Sequence, residues 1–119
     1  MANTTFTAQV RHQAGLAAID LQGEINAFAQ EALNRAYSEA EQNNPAKVVL
    51  NFTRVSYINS TGIALIVGLL ARAQKANRSI AVYGLSDHYR EIFQITRLAD
   101  YMTIYPDEAS AMQAALHTS

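Results

Sequence analysis

The chain of 119 residues contains no cysteine, which excludes disulfide bonds, thiolate catalysis and cysteine-ligated metals. Nine Lys and Arg residues are balanced by ten Asp and Glu residues, so no basic field favours nucleic-acid binding. The longest apolar run, residues 62–71, is about half the length that a membrane span needs. No basic segment followed by an apolar stretch opens the chain. We therefore expect a soluble, cytoplasmic protein that binds no nucleic acid and does not insert into a membrane.

The common motifs of catalysis and cofactor binding are also missing. His12, His88 and His117 are isolated from one another and from any carboxylate set, so no metal site is predicted. A Gly-x-x-x-x-Gly-Lys-Ser/Thr phosphate loop is absent, and Ile58 stands where a nucleophile elbow around Ser60 would need glycine. These absences favour a binding protein without cofactor or catalytic residues. The alternative to a binding protein is an enzyme, a small hydrolase that uses Ser60 as its nucleophile. The missing elbow argues against it.

The hydrophobic periodicity predicts strands and helices in the order β-β-α-β-α-β-α-β-α. The predicted strands are 5–10, 16–21, 48–52, 79–83 and 102–105. The predicted helices are 27–41, 62–77, 87–95 with Ser86 as its cap, and 106–116. The turn 13–15 joins the first two strands, Gly23 ends the second, and Pro106 takes the first position of the last helix. Strands that alternate with helices predict an α/β fold within one domain, 1–119. The predicted core includes Val48, Leu50, Phe52, Ile80 and Val82, and Phe28 is assigned to the apolar positions of the first helix.

The most informative stretch joins a buried strand to a long helix through Asn59, Ser60 and Thr61. The first N–H groups of a helix lack intrahelical partners and the helix dipole is positive there, so a side-chain oxygen or a phosphate is stabilised. One interpretation is that one of these three residues simply caps the helix. The other is that a hydroxyl at this position carries chemistry. The spacing alone leaves both open.

Two segments of the sequence resemble a known family. The first, VVLNFTRVSYINSTGI at 48–63, is similar to the apolar strand, Asp-Ser-Ser/Thr-Gly loop and apolar helix of STAS domains, the anti-sigma factor antagonists. The second, Leu-Gln-Gly-Glu-Ile-Asn at 21–26, resembles the Gly-Glu-apolar-Asp segment of the same family. The resemblance extends from about Val10 to Met112. It implies a STAS-type mixed β-sheet with helices packed mainly on one side.

The family resemblance also implies a function in transcription regulation by partner switching. In such proteins the serine after the motif Asp is phosphorylated by a GHKL-type serine kinase that is also the anti-sigma factor. The matching residue is Ser60, with Thr61 as the neighbouring alternative. The unphosphorylated form binds the kinase and the phosphorylated form is released, and a phosphatase can reset such a switch. A second hypothesis is an adaptor subunit of a larger assembly, for example a lipid-transport complex, in which Ser60 is not phosphorylated.

The sequence departs from the family pattern at two positions, where Asn26 and Asn59 replace the usual Asp. Asn keeps a similar shape and capping ability but loses the negative charge, which affects the predicted phosphorylation more than the fold. Independently, residues 62–71 carry no charge, which predicts either a deeply buried helix or a helix with an exposed docking face. The expected partner-binding residues are Asn26, Asn59, Ser60, Thr61, Gly62, Ile63, Val67, Leu70 and Arg90.

Overall fold

Strands and helices alternate in the predicted order in the computed structural model, which describes residues 6–13 and 15–116. The elements are β1 (Thr7–Gln13), β2 (Leu16–Ile25), α1 (Gln30–Glu41), β3 (Lys47–Ile58), α2 (Ser60–Lys75), β4 (Ser79–Tyr83), α3 (Asp87–Ile95), β5 (Thr103–Tyr105) and α4 (Glu108–Leu116). Short 3-10 helices occupy Ala27–Ala29 and Leu98–Tyr101. The predicted strand start at Thr5 and the turn residue Ala14 lie outside the described residues.

The strands form one mixed sheet in the order β1-β2-β3-β4-β5. β1 is antiparallel to β2, as a hairpin requires, and every later neighbouring pair is parallel. Parallel neighbours need a crossover, and α1, α2 and α3 supply the crossovers between β2 and β5. The predicted α/β class and mixed sheet are confirmed.

The sheet has a large core on one face and a small core on the other. The large core contains alternate residues of β2, β3 and β4 packed against α1, α2 and α3, and it includes the five predicted core residues Val48, Leu50, Phe52, Ile80 and Val82. On the opposite face, Val49, Ala81 and Tyr83 pack against Ala111 of α4. Three helices therefore cover one face, as the family resemblance implied. Burial from both sides explains why the parallel strands read as nearly continuous apolar runs.

The second and third strands are longer than the sequence indicated. Gly23 does not end β2, because its φ of 104° fits a bulge through which the strand continues to Ile25. β3 runs beyond Phe52 and pairs with β2 as far as Ile58. β4 pairs with β3 only up to Tyr83. β2 and β3 thus extend together past β4 and carry their last residues beneath the start of α2.

Two helices begin at residues other than those predicted. α2 starts at Ser60, two residues before the predicted position. α4 starts at Glu108, and Pro106 lies outside the helix. The Oδ1 atom of Asp107 accepts a hydrogen bond from the Ser110 N–H at 2.8 Å, so Asp107 caps α4. The capping side chain, rather than the proline, determines where this helix begins.

Candidate functional site

The N-terminus of α2 is capped by Asn59. Its Oδ1 atom accepts a hydrogen bond from the Gly62 N–H at 2.8 Å, and its main-chain carbonyl accepts one from the Ile63 N–H at 2.9 Å. The backbone of Asn59 is extended while the next residue is helical, which is the conformation expected of an N-cap. Of the three candidate caps in the sequence, the structure uses the first. Ser60 is therefore not needed to cap the helix.

The hydroxyl groups of Ser60 and Thr61 lie in the exposed first turn of α2. Among the residues that the structure describes, none forms a hydrogen bond with the Ser60 Oγ atom. The Ser60 and Thr61 N–H groups of this turn have no intrahelical acceptor and lie at the positive end of the helix dipole. A negative group attached to Ser60 would therefore be tolerated within the folded chain. The Ser60 hydroxyl is therefore accessible for modification. No described residue is hydrogen-bonded to it as a catalytic base would be.

Gly62 fits α2 closely against the end of the sheet. The Asn59 N–H donates to the Ile25 carbonyl at 3.2 Å, which connects the end of β2 to the cap of α2. A Cβ atom added to Gly62 would overlap this carbonyl group and would lie 2.9 Å from the Ile58 side chain. Gly62 is buried and faces the sheet, so its position serves packing. The expectation that Gly62 itself contacts a partner is corrected accordingly.

Asn26 caps the 3-10 turn Ala27–Ala29 that follows β2. Its Oδ1 atom accepts from the Phe28 N–H at 2.9 Å, and its amide nitrogen lies 3.4 Å from Glu24 Oε1. Asn26 and Asn59 thus perform the same task through a side-chain oxygen that Asp also possesses. The two replacements that distinguish this sequence from the family pattern preserve both caps and remove two negative charges.

The exposed side of α2 is a stripe of small, uncharged residues. It consists of Ser60, Thr61, Ala64, Val67, Gly68 and Ala71, and is called the α2 stripe below. Val67 is 45% exposed, whereas Ile63 is half-buried against the large core. Leu70 is only 7% exposed, so the expectation that it belongs to a docking face is wrong. Leu70 follows Ile66 by one turn and lies with it on the buried side of α2, together with Leu69 and Ala73.

The sequence matches the family model described as "STAS domain" over residues 7–111, which include the strands, α1 to α3 and the start of α4. The chain belongs to the STAS domain family. Among curated proteins, it is similar to an anti-sigma-B factor antagonist from Staphylococcus aureus strain NCTC 8325. The two are 29% identical over 82 residues, which cover 69% of this chain and 76% of the relative.

Solved structures share the fold of this STAS domain. An anti-sigma factor antagonist from Mycobacterium paratuberculosis has a TM-score of 0.82, 21% identity and coverage of 97% of each chain. The Bacillus cell fate determinant SpoIIAA in its phosphorylated form has a TM-score of 0.69 and 23% identity, covering 91% of this chain and 99% of its own. A sulfate transporter family protein from Wolinella succinogenes has a TM-score of 0.77, 16% identity and 87% coverage of each chain. At these identities the likeness shows the fold alone.

The sequence reasoning missed one surface residue of this STAS domain. Phe28 was assigned to the apolar side of the first helix, but it lies in the 3-10 turn before α1 and is 94% exposed. The capping residue Asn26 marks a separate start for this turn, and this signal could have distinguished Phe28 from the inward residues Leu33, Ala36 and Tyr37. The turn Ala27–Ala29 contacts α2, and the exposed Phe28 side chain borders a shallow depression with Glu31 at the start of α1.

Arg90 lies on α3, which the structure ties to the end of β3. The hydroxyl group of the preceding residue, Tyr89, accepts a hydrogen bond from the Ile58 N–H at 2.9 Å. The Arg90 side chain is 42% exposed and its Nη1 atom lies 3.7 Å from Asp87 Oδ1. No contact between Arg90 and the first turn of α2 is seen in the described part of the chain, so its role at a partner surface stays a prediction.

Neither a membrane span nor a metal cluster is found in residues 6–13 and 15–116. None of the helices described there combines the length and apolar character required to cross a bilayer. No group of three or more His, Asp or Glu side chains in this part is arranged to hold a metal ion.

Proposed function

We propose that this STAS domain is a cytoplasmic anti-sigma factor antagonist that binds a GHKL-type serine kinase acting as an anti-sigma factor, and that phosphorylation of Ser60 releases it. The observation that carries the proposal is the exposed Ser60 hydroxyl at the first position of α2, which leaves helix capping to Asn59. The similarity to an anti-sigma-B factor antagonist of Staphylococcus aureus supports the same function. The protein acts by binding and has no catalytic step of its own.

The proposed switch follows from where the added charge would lie. A phosphoserine carries about −1.5 to −2 charges near pH 7, and the N-terminus of α2 stabilises such a charge within the folded domain. The same charge would adjoin the uncharged α2 stripe. A partner covering this stripe would have to desolvate the phosphate, so binding weakens while the fold is retained. A phosphatase that removes the phosphate would restore binding.

The second candidate function is an adaptor subunit that binds a larger assembly without phosphorylation. Asn26 and Asn59 favour it, because both caps are present while the carboxylates usual in the family are absent. If those carboxylates assist the kinase, this chain would bind its partner without being released. The fold shared with the sulfate transporter family protein is compatible with such a role.

Phosphorylation by the cognate kinase and ATP, followed by intact-mass measurement, separates the two candidates. We expect one phosphate on the wild type, none on Ser60→Ala, and one on Thr61→Ala, which serves as the matched control. Faster phosphorylation of Asn59→Asp would show that the family carboxylate assists the kinase. A phosphate that persists in Ser60→Ala and disappears in Thr61→Ala would move the site to Thr61. No phosphate on the wild type or on Asn59→Asp, with partner binding intact, would contradict the switch and favour the adaptor.

A further inference from the structure

Phe28 is the most exposed of the large hydrophobic side chains in the described part of the chain, at 94%. Burial of such a side chain stabilises a fold, and the isolated chain gains almost none of this stabilisation at Phe28. The next residue, Ala29, is completely buried. The turn therefore presents its aromatic ring to solvent while its backbone is anchored in the core.

The backbone that carries Phe28 is held in place by Asn26. The Asn26 side chain accepts from the Phe28 N–H at 2.9 Å, and the Asn26 carbonyl accepts from the Ala29 N–H at 2.9 Å. These two hydrogen bonds fix the 3-10 turn before any partner arrives. A rigid aromatic side chain loses little conformational entropy on binding, which is favourable for an anchor residue.

One acidic side chain, Glu31, is found beside Phe28. The first basic residue of α1, Arg35, follows Glu31 by one turn, and residues 60–71 of α2 carry no charge. Glu31 and Phe28 border the same shallow depression at the start of α1. The surface at Phe28 is therefore an exposed aromatic side chain with the Glu31 carboxylate at its border. A complementary partner surface would have an apolar pocket and a basic rim.

We propose that Phe28 is an anchor that enters an apolar pocket with a basic rim on the anti-sigma kinase, and that Asn26 positions it. This inference rests on the proposed function, because it names how the same partner is bound. It also gives Asn26 a role that does not require a negative charge. Aromatic residues in the centre of interfaces are enriched among those whose removal weakens binding most.

The anchor is tested by measuring the affinity of each variant for the kinase without nucleotide, so that binding is measured in the absence of phosphorylation. Phe28→Ala should weaken binding by about 30-fold, the change expected of an anchor residue, with an unchanged thermal midpoint. The matched control is Tyr101→Ala, because Tyr101 is another exposed aromatic residue, 57% exposed, in the second 3-10 helix. Equal binding by Phe28→Ala and the wild type would overturn this inference and leave the proposed function intact. If the wild type itself does not bind the kinase, the proposed function fails first and this inference fails with it.

Further variants test the positioning role of Asn26 and the basic rim. Asn26→Ala should weaken binding and Asn26→Asp should restore it, since either Asn or Asp can accept from the Phe28 N–H. In a Phe28→Ala background, Asn26→Ala should have no additional effect on the affinity, whereas independent effects of the two changes would contradict the positioning role.

The basic rim is tested by charge reversal. Glu31→Lys should slow association at low salt, while Glu39→Lys, on an exposed position farther along α1, should not. Equal rates for both charge reversals would overturn the basic rim.

Discussion

Gly62 and Gly68 lie in the same helix, but their surroundings differ completely. A Cβ atom at Gly62 would overlap the Ile25 carbonyl, whereas a Cβ atom at Gly68 would meet nothing within 4 Å. The close approach at Gly62 brings the first turn of α2 against the end of β2. This contact determines where the Ser60 hydroxyl stands relative to the turn that carries Phe28.

This difference gives a paired prediction at the scale of single residues. Gly62→Ala should lower the free energy of unfolding by about 1–3 kcal/mol or more, because the helix must move away from the sheet. Gly68→Ala should raise it by up to about 1 kcal/mol, because Ala is the better helix former and its methyl group has open space. Urea denaturation of both variants measures the effect. A neutral Gly62→Ala would show that α2 is not held as closely as described.

At the scale of the elements, α2 is divided into a core side and an exposed side. One side is packed into the large core through Ile66, Leu69 and Leu70, and the other is the α2 stripe. Val67 and Leu70 are three positions apart, yet their exposed fractions are 45% and 7%. A charge introduced at these two positions should therefore have different consequences.

Val67→Glu should abolish binding to the kinase while leaving the thermal midpoint nearly unchanged, because Val67 contributes to the exposed stripe. Leu70→Glu should destabilise the fold strongly, because an unpaired carboxylate would be buried. Thermal unfolding by circular dichroism and a binding assay distinguish the two effects. A large loss of stability in Val67→Glu would show that Val67 belongs to the core and would remove it from the proposed surface.

The sequence predicted the element order, the core strands and the position of Ser60, because these depend on local signals. Alternating apolar runs, Ser86 as the α3 cap and the Asn59-Ser60-Thr61 cluster are all visible without tertiary structure. The assignment of Leu70 failed because a stretch without charges, such as residues 62–71, gives no sign of which side of the helix is inward. Gly23 and Phe28 were misassigned because a bulge and a 3-10 turn depend on strand pairing and capping geometry that hydrophobic periodicity does not encode.

At the scale of the whole molecule, the sheet face that carries α4 is joined by a polar network. Arg11 of β1 makes two hydrogen bonds to the Asp20 carboxylate, at 2.7 and 2.9 Å, and also contacts Glu108 of α4 at 3.2 Å. The Asn51 side chain donates to Asp20 at 2.8 Å. This network links three strands and the last helix on the face opposite α2. Burial alone would raise the pKa of Asp20, but the hydrogen bonds from Arg11 and Asn51 outweigh it and hold the pKa below its usual value of 3.8.

The lowered pKa of Asp20 predicts a pH dependence of stability. A carboxylate with a depressed folded-state pKa stabilises the fold above its unfolded pKa of about 3.9, and this contribution is lost as the pH falls through the folded-state pKa. Arg11→Gln removes the ion pair, so the Asp20 pKa should rise and the acid-unfolding midpoint should move to higher pH. The control is Arg97→Gln, since the Arg97–Asp100 pair is largely exposed. The midpoint pH of acid unfolding is measured by circular dichroism. Equal shifts of this midpoint in the two variants would contradict the prediction.

The extension of β3 beyond β4 has a consequence for self-association. From Phe52 to Ile58 the strand has β2 on one side and no β4 partner on the other, and such unpaired backbone invites strand addition from another chain. Tyr89 closes the upper end of this segment by accepting from the Ile58 N–H. Gly84, with a φ of 83°, lies so close to Thr53 that an added Cβ atom would be 2.6 Å from the Thr53 nitrogen. The segment that leads into α3 therefore covers part of this unpaired edge and leaves less of it open to a strand from another chain.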